Sequence, residues 1–201
     1  MPGWTPIPGE TPINDLSFLK VKGISTRREL NVHEAENIRK AALLFLAEGP
    51  TRKSAPFTYD WMLHVHKIMF GDVWEWAGQV RRQNLSIGVE YYMIGQELGG
   101  LALDIDAWEI QKDLLIEQSA RIHHRAVQIH PFENGNGRWS RMLANIWLRR
   151  HGSPLIAWPE PAVGSSESPI RQEYLDAIRQ ADLGNRLPLE ALHQRYMEQG
   201  S

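Results

Sequence analysis

The sequence predicts an all-α protein with one small β element, and three observations carry that prediction. Apolar residues recur at three- and four-residue steps through most of the chain, the spacing of helices with one buried face. Capping residues and Gly or Pro stops bracket those stretches. Only Val80 to Met93 departs from the helical spacing. It alternates partly at Leu85, Ile87, Val89 and Tyr91, breaks at Gly88, and reads as a short hairpin or extended loop.

Residues 1–24 read as an extended Pro-rich arm. Thr-Pro-Ile occurs at Thr5–Ile7 and again at Thr11–Ile13, and proline excludes helix there. Trp4 is expected to pin the arm. Residues 25–201 read as one domain, with a core at about 55–155 and C-terminal helices at 168–198. Asn31 reads as an N-cap with Glu34 closing a capping box. Val32, Ala35, Ile38, Ala42, Phe45 and Leu46 then form a face that ends at Gly49-Pro50. A second helix starts near Thr58, carries Trp61, Met62, Val65, Ile68 and Met69 on one face, and stops at Gly71. Helical spacing resumes near Gln96. Leu115, Ser119, Ile122, Ala126 and Ile129 form one inner stripe; Trp139, Met142, Leu143, Ile146 and Trp147 form another, closed by Gly152. After a loop from Trp158-Pro159 to Ser168, Ser168-Pro169 begins a helix through Ala181, and a last helix runs from about Pro188 to Glu198.

Composition narrows the function classes. The 201 residues suffice for one domain with a sizeable core. A net charge of −2 gives no basic field for nucleic acid. Arg27-Arg28, Arg81-Arg82 and Arg149-Arg150 read as scattered, solvated pairs. The lack of cysteine excludes a disulfide scaffold and fits a reducing compartment. The first residues lack the basic start and apolar stretch of a secretory signal. The longest apolar run, Ala41 to Ala47, is too short to span a bilayer, so no membrane role and a cytoplasmic location are expected. His64 and His66 are two apart on a helix, and His123 and His124 are adjacent. Neither pair converges as zinc ligands do, and most histidines other than His130 are expected to be structural.

The chemistry is concentrated in His130-Pro131-Phe132-Glu133-Asn134-Gly135-Asn136-Gly137-Arg138, with Arg141 one turn later. A histidine can act as a base near neutral pH. A Gly-Asn-Gly turn can aim backbone N–H groups at an anion, and a helix starting there adds its positive end. Arg138 and Arg141, three apart, share one face of that helix. Phe132 is expected to anchor the loop in the core.

This stretch resembles the HPFx(D/E)GNGRxxR motif of the Fic/Doc family, whose members mostly transfer AMP from ATP to a hydroxyl of a target protein. The match departs from the motif at Asn134, the acidic position. The segment FGDVWEWAGQVR (Phe70 to Arg81) is similar to the one that precedes the family's β-hairpin flap, placing a flap at about Asn84 to Met93. The resemblance implies a Fic-type helical bundle in which His130 is the general base for a Ser, Thr or Tyr hydroxyl. It gives Gly135, Asn136, Gly137, Arg138 and Arg141 to the phosphates: Asn136 to the α-phosphate, Arg138 to the polyphosphate, Arg141 to the γ end. It gives position 134 to Mg²⁺, for which an amide oxygen is an uncharged ligand. Leu85, Ile87 and Val89 are the flap residues that would meet the target protein by strand addition.

Many Fic proteins carry an [S/T]xxxE(G/N) helix whose glutamate blocks the second motif arginine. Ser25 to Glu29 and Glu36-Asn37 match it in part, so Glu29 and Glu36 are the candidate inhibitory residues. The arm and length also resemble the mobile mystery protein B subgroup, encoded beside a helix-turn-helix partner, which implies an antitoxin-like partner and a toxin–antitoxin setting. Two other functions stay open: a Fic-fold enzyme with another nucleotide or phosphate donor, and a catalytically weak nucleotide-binding module regulated by a partner.

Overall fold

The computed structural model describes residues 16–110, 114–165 and 167–199. Trp4 and both Thr-Pro-Ile copies lie outside them. The helices of the described part are α1 (Arg27–Leu46), α2 (Tyr59–Phe70), α3 (Ile94–Trp108), α4 (Leu115–Ile129), α5 (Asn136–Arg150), the single turn α6 (Glu160–Val163), α7 (Pro169–Asp182) and α8 (Leu187–Gln199). Among the described residues there is no strand. The one β feature is an isolated antiparallel bridge between Leu19 and Trp74, which lays the end of the N-terminal arm across the loop after α2.

Of the two readings of 84–93, hairpin or loop, the structure gives the loop: it is irregular and ends in a 3₁₀ turn at Tyr91–Met93, which corrects the β-hairpin flap. Its alternation finds no partner strand. Its backbone is held by a side chain instead of a ladder, as described below.

Helix α1 begins earlier than its apolar spacing implies. Thr26 is the N-cap, and Glu29 closes a capping box with it. Asn31 and Glu34 are thus interior positions. Leu30, Glu34, Asn37 and Ala41 form the buried face. Asn37 caps α2, donating to the Ile68 carbonyl and accepting from the Asp72 N–H, both at 2.9 Å.

Two apolar clusters share α4 and α5. The first packs Leu30, Met62, Phe70, Leu98, Ile122, Phe132, Trp139, Leu143 and Trp147 between α1, α2, α3, α4 and α5. The second packs Ala120, Leu148, Ile156, Trp158, Tyr174, Leu189 and Tyr196 under α7 and α8. Each large side chain buried this way contributes about 1.5–3 kcal/mol. The α4–α5 pair is consequently fixed from both sides, and the connection between them carries the motif. No helix among the described residues is long and apolar enough to cross a membrane.

Candidate functional site

The connection is a tight loop whose geometry follows from its residues. His130 ends α4 in the left-handed conformation (φ 52°, ψ 59°). Gly135 caps α5 at φ 82°, and a Cβ there would lie 2.7 Å from the Phe70 ring. The Asn136 side chain closes the loop, accepting from the Phe132 N–H at 3.0 Å and donating to the Phe132 carbonyl at 2.9 Å. Phe132 is fully buried, stacked on His66 and edge-on to Trp139. His66 accepts from the Gly78 N–H at 3.0 Å through Nδ1, so its Nε2–H donates to the Asn134 carbonyl at 3.1 Å. With the loop so braced, the N–H groups at the start of α5 lack helical acceptors and aim their partial positive charge at one point. The Asn136 side-chain amide is thus a loop brace here.

Arg81 brings the neighbouring loop onto His130. Its Nε donates to the His130 carbonyl at 2.8 Å, one Nη donates to the Gln83 carbonyl at 2.8 Å, and the other donates to the Val89 carbonyl. Gly88 lies so close to His130 that a Cβ would fall 2.5 Å from the His130 Cβ. Reading Arg81 as solvated surface is corrected: it is 2% exposed, and burial lowers its pKa. Of the three flap candidates, Ile87 is exposed, while Leu85 and Val89 are half-buried and Val89 packs on the first cluster.

Both motif arginines hold carboxylates. Arg138 donates through one Nη to Glu34 at 2.7 Å and through the other to the Asn134 Oδ1 at 3.2 Å. Glu34 is buried and also accepts from the Trp74 indole at 2.7 Å. Arg141 grips Glu160 with two bonds, at 2.8 and 2.5 Å. Burial opposes the Arg141 charge, but Glu160 and then Tyr174 outweigh it and raise the pKa further. The expected inhibitory glutamates are not these two. Glu29 is engaged by Ser25 and Thr26, and Glu36 by Arg39 on the exposed side of α1. Glu160 opens the single turn α6 within a Pro- and Gly-rich stretch, and its match to Arg141 leaves no spacing signal in the sequence. The capping-box pattern gave Glu34 a local role in the sequence instead.

His130 is buried, and that burial lowers its pKa to about 4. A bond to the Val127 carbonyl opposes the shift and the Arg81 charge adds to it. The ring is neutral at pH 7, with one nitrogen donating to Val127 and its basic lone pair on the other. His66 and His193 are pushed down in the same way, to about 3. Unfolded, all three return to about 6.5. As pH falls below that value the unfolded chain binds protons first, so stability declines until the pH passes the folded values. Each ring contributes at most about 1.4 kcal/mol per pH unit. The urea midpoint is expected to drop steeply between pH 6.5 and 4. A flat profile there would mean the rings are charged in the fold.

The residues present do not fit a resident Mg²⁺. No cluster of three or more His, Cys, Asp or Glu side chains able to hold a metal occurs among the described residues. The uncharged Asn134 oxygen already accepts from a guanidinium, which repels a cation.

His130, Asn134 to Arg138 and Arg141 line one cavity of about 860 Å³. Ala35, Ile38 and Ala42 of α1 give it an apolar wall with Met142, Ile156 and Trp158, while Arg27, Asn31, Arg39, Asn145 and Glu160 add polar groups around it. The arrangement suits a ligand with an anionic end and a flat, apolar end.

Residues 56–148 match the model of the Fic/DOC family. The chain is 29% identical over 172 residues to "Protein adenylyltransferase fic-1" of Caenorhabditis elegans, covering 78% of this chain and 32% of that protein. It is 43% identical over 51 residues to "Uridine 5'-monophosphate transferase" of Xanthomonas campestris, covering 25% of this chain and 9% of that protein. The solved structure of a C. elegans Fic-1 fragment (residues 134–508, E274G) superposes with a TM-score of 0.72 at 23% identity, over 89% of this chain and 51% of that one. The chain spans about a third of the length of the curated adenylyltransferases it matches.

Proposed function

Because this chain belongs to the Fic/DOC family through residues 56–148, we propose that it transfers AMP from ATP to a Ser, Thr or Tyr hydroxyl of a target protein. The observation that carries the reading is the convergence of neutral His130, the start of α5, Arg138 and Arg141 on one cavity with an apolar wall. Nucleotidyl transfer asks for positioning and charge stabilisation more than for covalent chemistry. The N–H groups of Asn136, Gly137 and Arg138 hold the α-phosphate, and the two arginines hold the rest of the triphosphate. The target oxygen attacks the α-phosphorus as His130 takes its proton. A new P–O bond forms, the bond to the bridging oxygen breaks, and pyrophosphate leaves. A divalent cation, Mg²⁺ in the sequence reading, arrives on the triphosphate as part of the substrate. The loop at 84–90 borders His130, so Leu85, Ile87 and Val89 meet the target segment in this reading. A cytoplasmic setting and an antitoxin-like partner complete it, supported by the cysteine-free sequence and the family resemblance.

The test is transfer of label to lysate proteins from ATP labelled at the α- or the γ-phosphate. Only the α label should transfer. Transfer of the γ label would mean phosphate transfer instead, and no transfer from either would leave a nucleotide-binding module. The 51-residue similarity to a UMP transferase favours one second reading, with UTP as donor. Labelled UTP in the same assay separates the two.

Glu160 occupies the guanidinium that a phosphate needs, so ATP must displace it. Glu160→Gln is expected to tighten ATP binding about three- to tenfold, because it removes one charge-assisted pair that is half open to solvent. Glu29→Gly and Glu36→Gly should leave affinity unchanged. Weaker binding by Glu160→Gln in calorimetry would mean that the carboxylate orients Arg141 rather than competing for it.

A further inference from the structure

A buried line of polar groups crosses the second apolar cluster from α4 to Arg141, and its protons have one consistent arrangement. Ser119 Oγ donates to the Ile116 carbonyl at 2.8 Å. That uses its only proton, so it accepts from His193 Nδ1, also at 2.8 Å. His193 and His123 are fully buried, and burial holds both neutral, His193 at about 3 and His123 well below its usual value. A neutral ring with Nδ1–H has an acceptor at Nε2. His193 Nε2 therefore accepts from His123 Nδ1 at 2.9 Å, and His123 Nε2 accepts from the Tyr174 hydroxyl at 3.0 Å. The Tyr174 oxygen is left as an acceptor, and the Arg141 guanidinium lies against the Tyr174 ring, its carbon 5.6 Å from the ring centre; its charge opposes the rise that burial gives the Tyr174 pKa. The reverse direction is closed, because Ser119 would have to donate to Ile116 and to His193 with a single proton.

We infer that Tyr174 is a positioning residue for Arg141, and that His123, His193 and Ser119 keep the Tyr174 proton turned away so that its oxygen faces the guanidinium. Glu160 binds Nε and one Nη of Arg141. The remaining Nη lies 3.4 Å from the place a Cβ on Gly137 would take, beside the start of α5, and the Tyr174 hydroxyl is 4.0 Å from the same point. The Tyr174 hydroxyl and the arm of Arg141 nearest the anion nest thus lie beside the same point at the start of α5. The role rests on reading the cavity as a triphosphate site. It makes α7 and α8, which carry none of the motif, part of how the polyphosphate is gripped.

The experiment compares ATP and AMP binding to the full chain by calorimetry. Tyr174→Phe keeps the ring and is expected to weaken ATP about tenfold while changing AMP less than about twofold, because Arg141 serves the distal phosphates. Ser119→Ala, which lies three hydrogen bonds from Tyr174, should shift the ATP-to-AMP ratio in the same direction by a smaller factor. It carries the same readout should Tyr174→Phe fail to fold. Equal losses for both nucleotides, or none, would overturn the role and leave a packing contact. Nitrogen-15 spectra of the histidine side chains test the line without any nucleotide. Both His123 and His193 should be Nδ1–H tautomers, and an Nε2–H form at either overturns the arrangement. A wild-type chain that shows these tautomers but binds no ATP would instead remove the triphosphate reading and the positioning role with it.

Discussion

Replacing His130 by Ala is expected to lower transfer from α-labelled ATP by roughly 10²–10⁴-fold, the usual worth of a positioned general base. Binding of ATP should be nearly unchanged, since the anion nest is made by the backbone of α5 and by Arg138 and Arg141. Because burial holds the wild-type ring near pKa 4, the wild-type rate should be flat from about pH 5 to 8 and fall below that range as the base is protonated. His130→Ala should lose that acid limb. Retention of more than a tenth of the wild-type rate would move the base elsewhere or show that none is needed.

The second large effect is expected at Gly135. A Cβ there would meet two Phe70 ring carbons at 2.7 Å and His66 Nε2 at 3.2 Å, at a backbone φ of 82°. Left-handed backbone costs a non-glycine residue about 1–2 kcal/mol, and overpacking a core costs about 1–3 more. Gly135→Ala should therefore lose about 2–5 kcal/mol in denaturant unfolding. Transfer should fall more than stability alone accounts for, because relieving the clash turns the first N–H groups of α5 off their common point. A variant with the wild-type urea midpoint and normal activity would show that the loop does not take this turn.

The parts of this site legible in the sequence are those joined by short spacing. The base, the glycine turn and the arginines on one helical face lie within a few residues, and the stripes of α4 and α5 predicted the helices that hold them. What escaped depends on residues far apart in the chain. Glu34 to Arg138 and Arg81 to His130 are pairings made by packing, and no periodicity encodes them. The start of α1 was hidden because its first turn, Arg27 to Glu29, has no apolar residue, while Asn31 and Glu34 imitate a cap one turn too late. The hairpin failed for a related reason. Alternation marks a strand only where a second strand pairs with it, and a buried guanidinium supplies that tie here. The histidines at 66 and 123 were expected to be structural. They are buried and bonded as that reading requires, and the bonds they make lead to the loop and, through Tyr174, to Arg141.

One feature of the loop bears on how such a site persists. His130 is a non-glycine residue held in left-handed backbone, buried and kept neutral. Both conditions work against folding, the first by about 1–3 kcal/mol. Glycine or asparagine would accept that backbone more readily and carries no charge to suppress. If His130 is the base of the proposed reaction, its position is one where sequences lacking the base fold more easily than this one, so stability and the proposed chemistry pull against each other there.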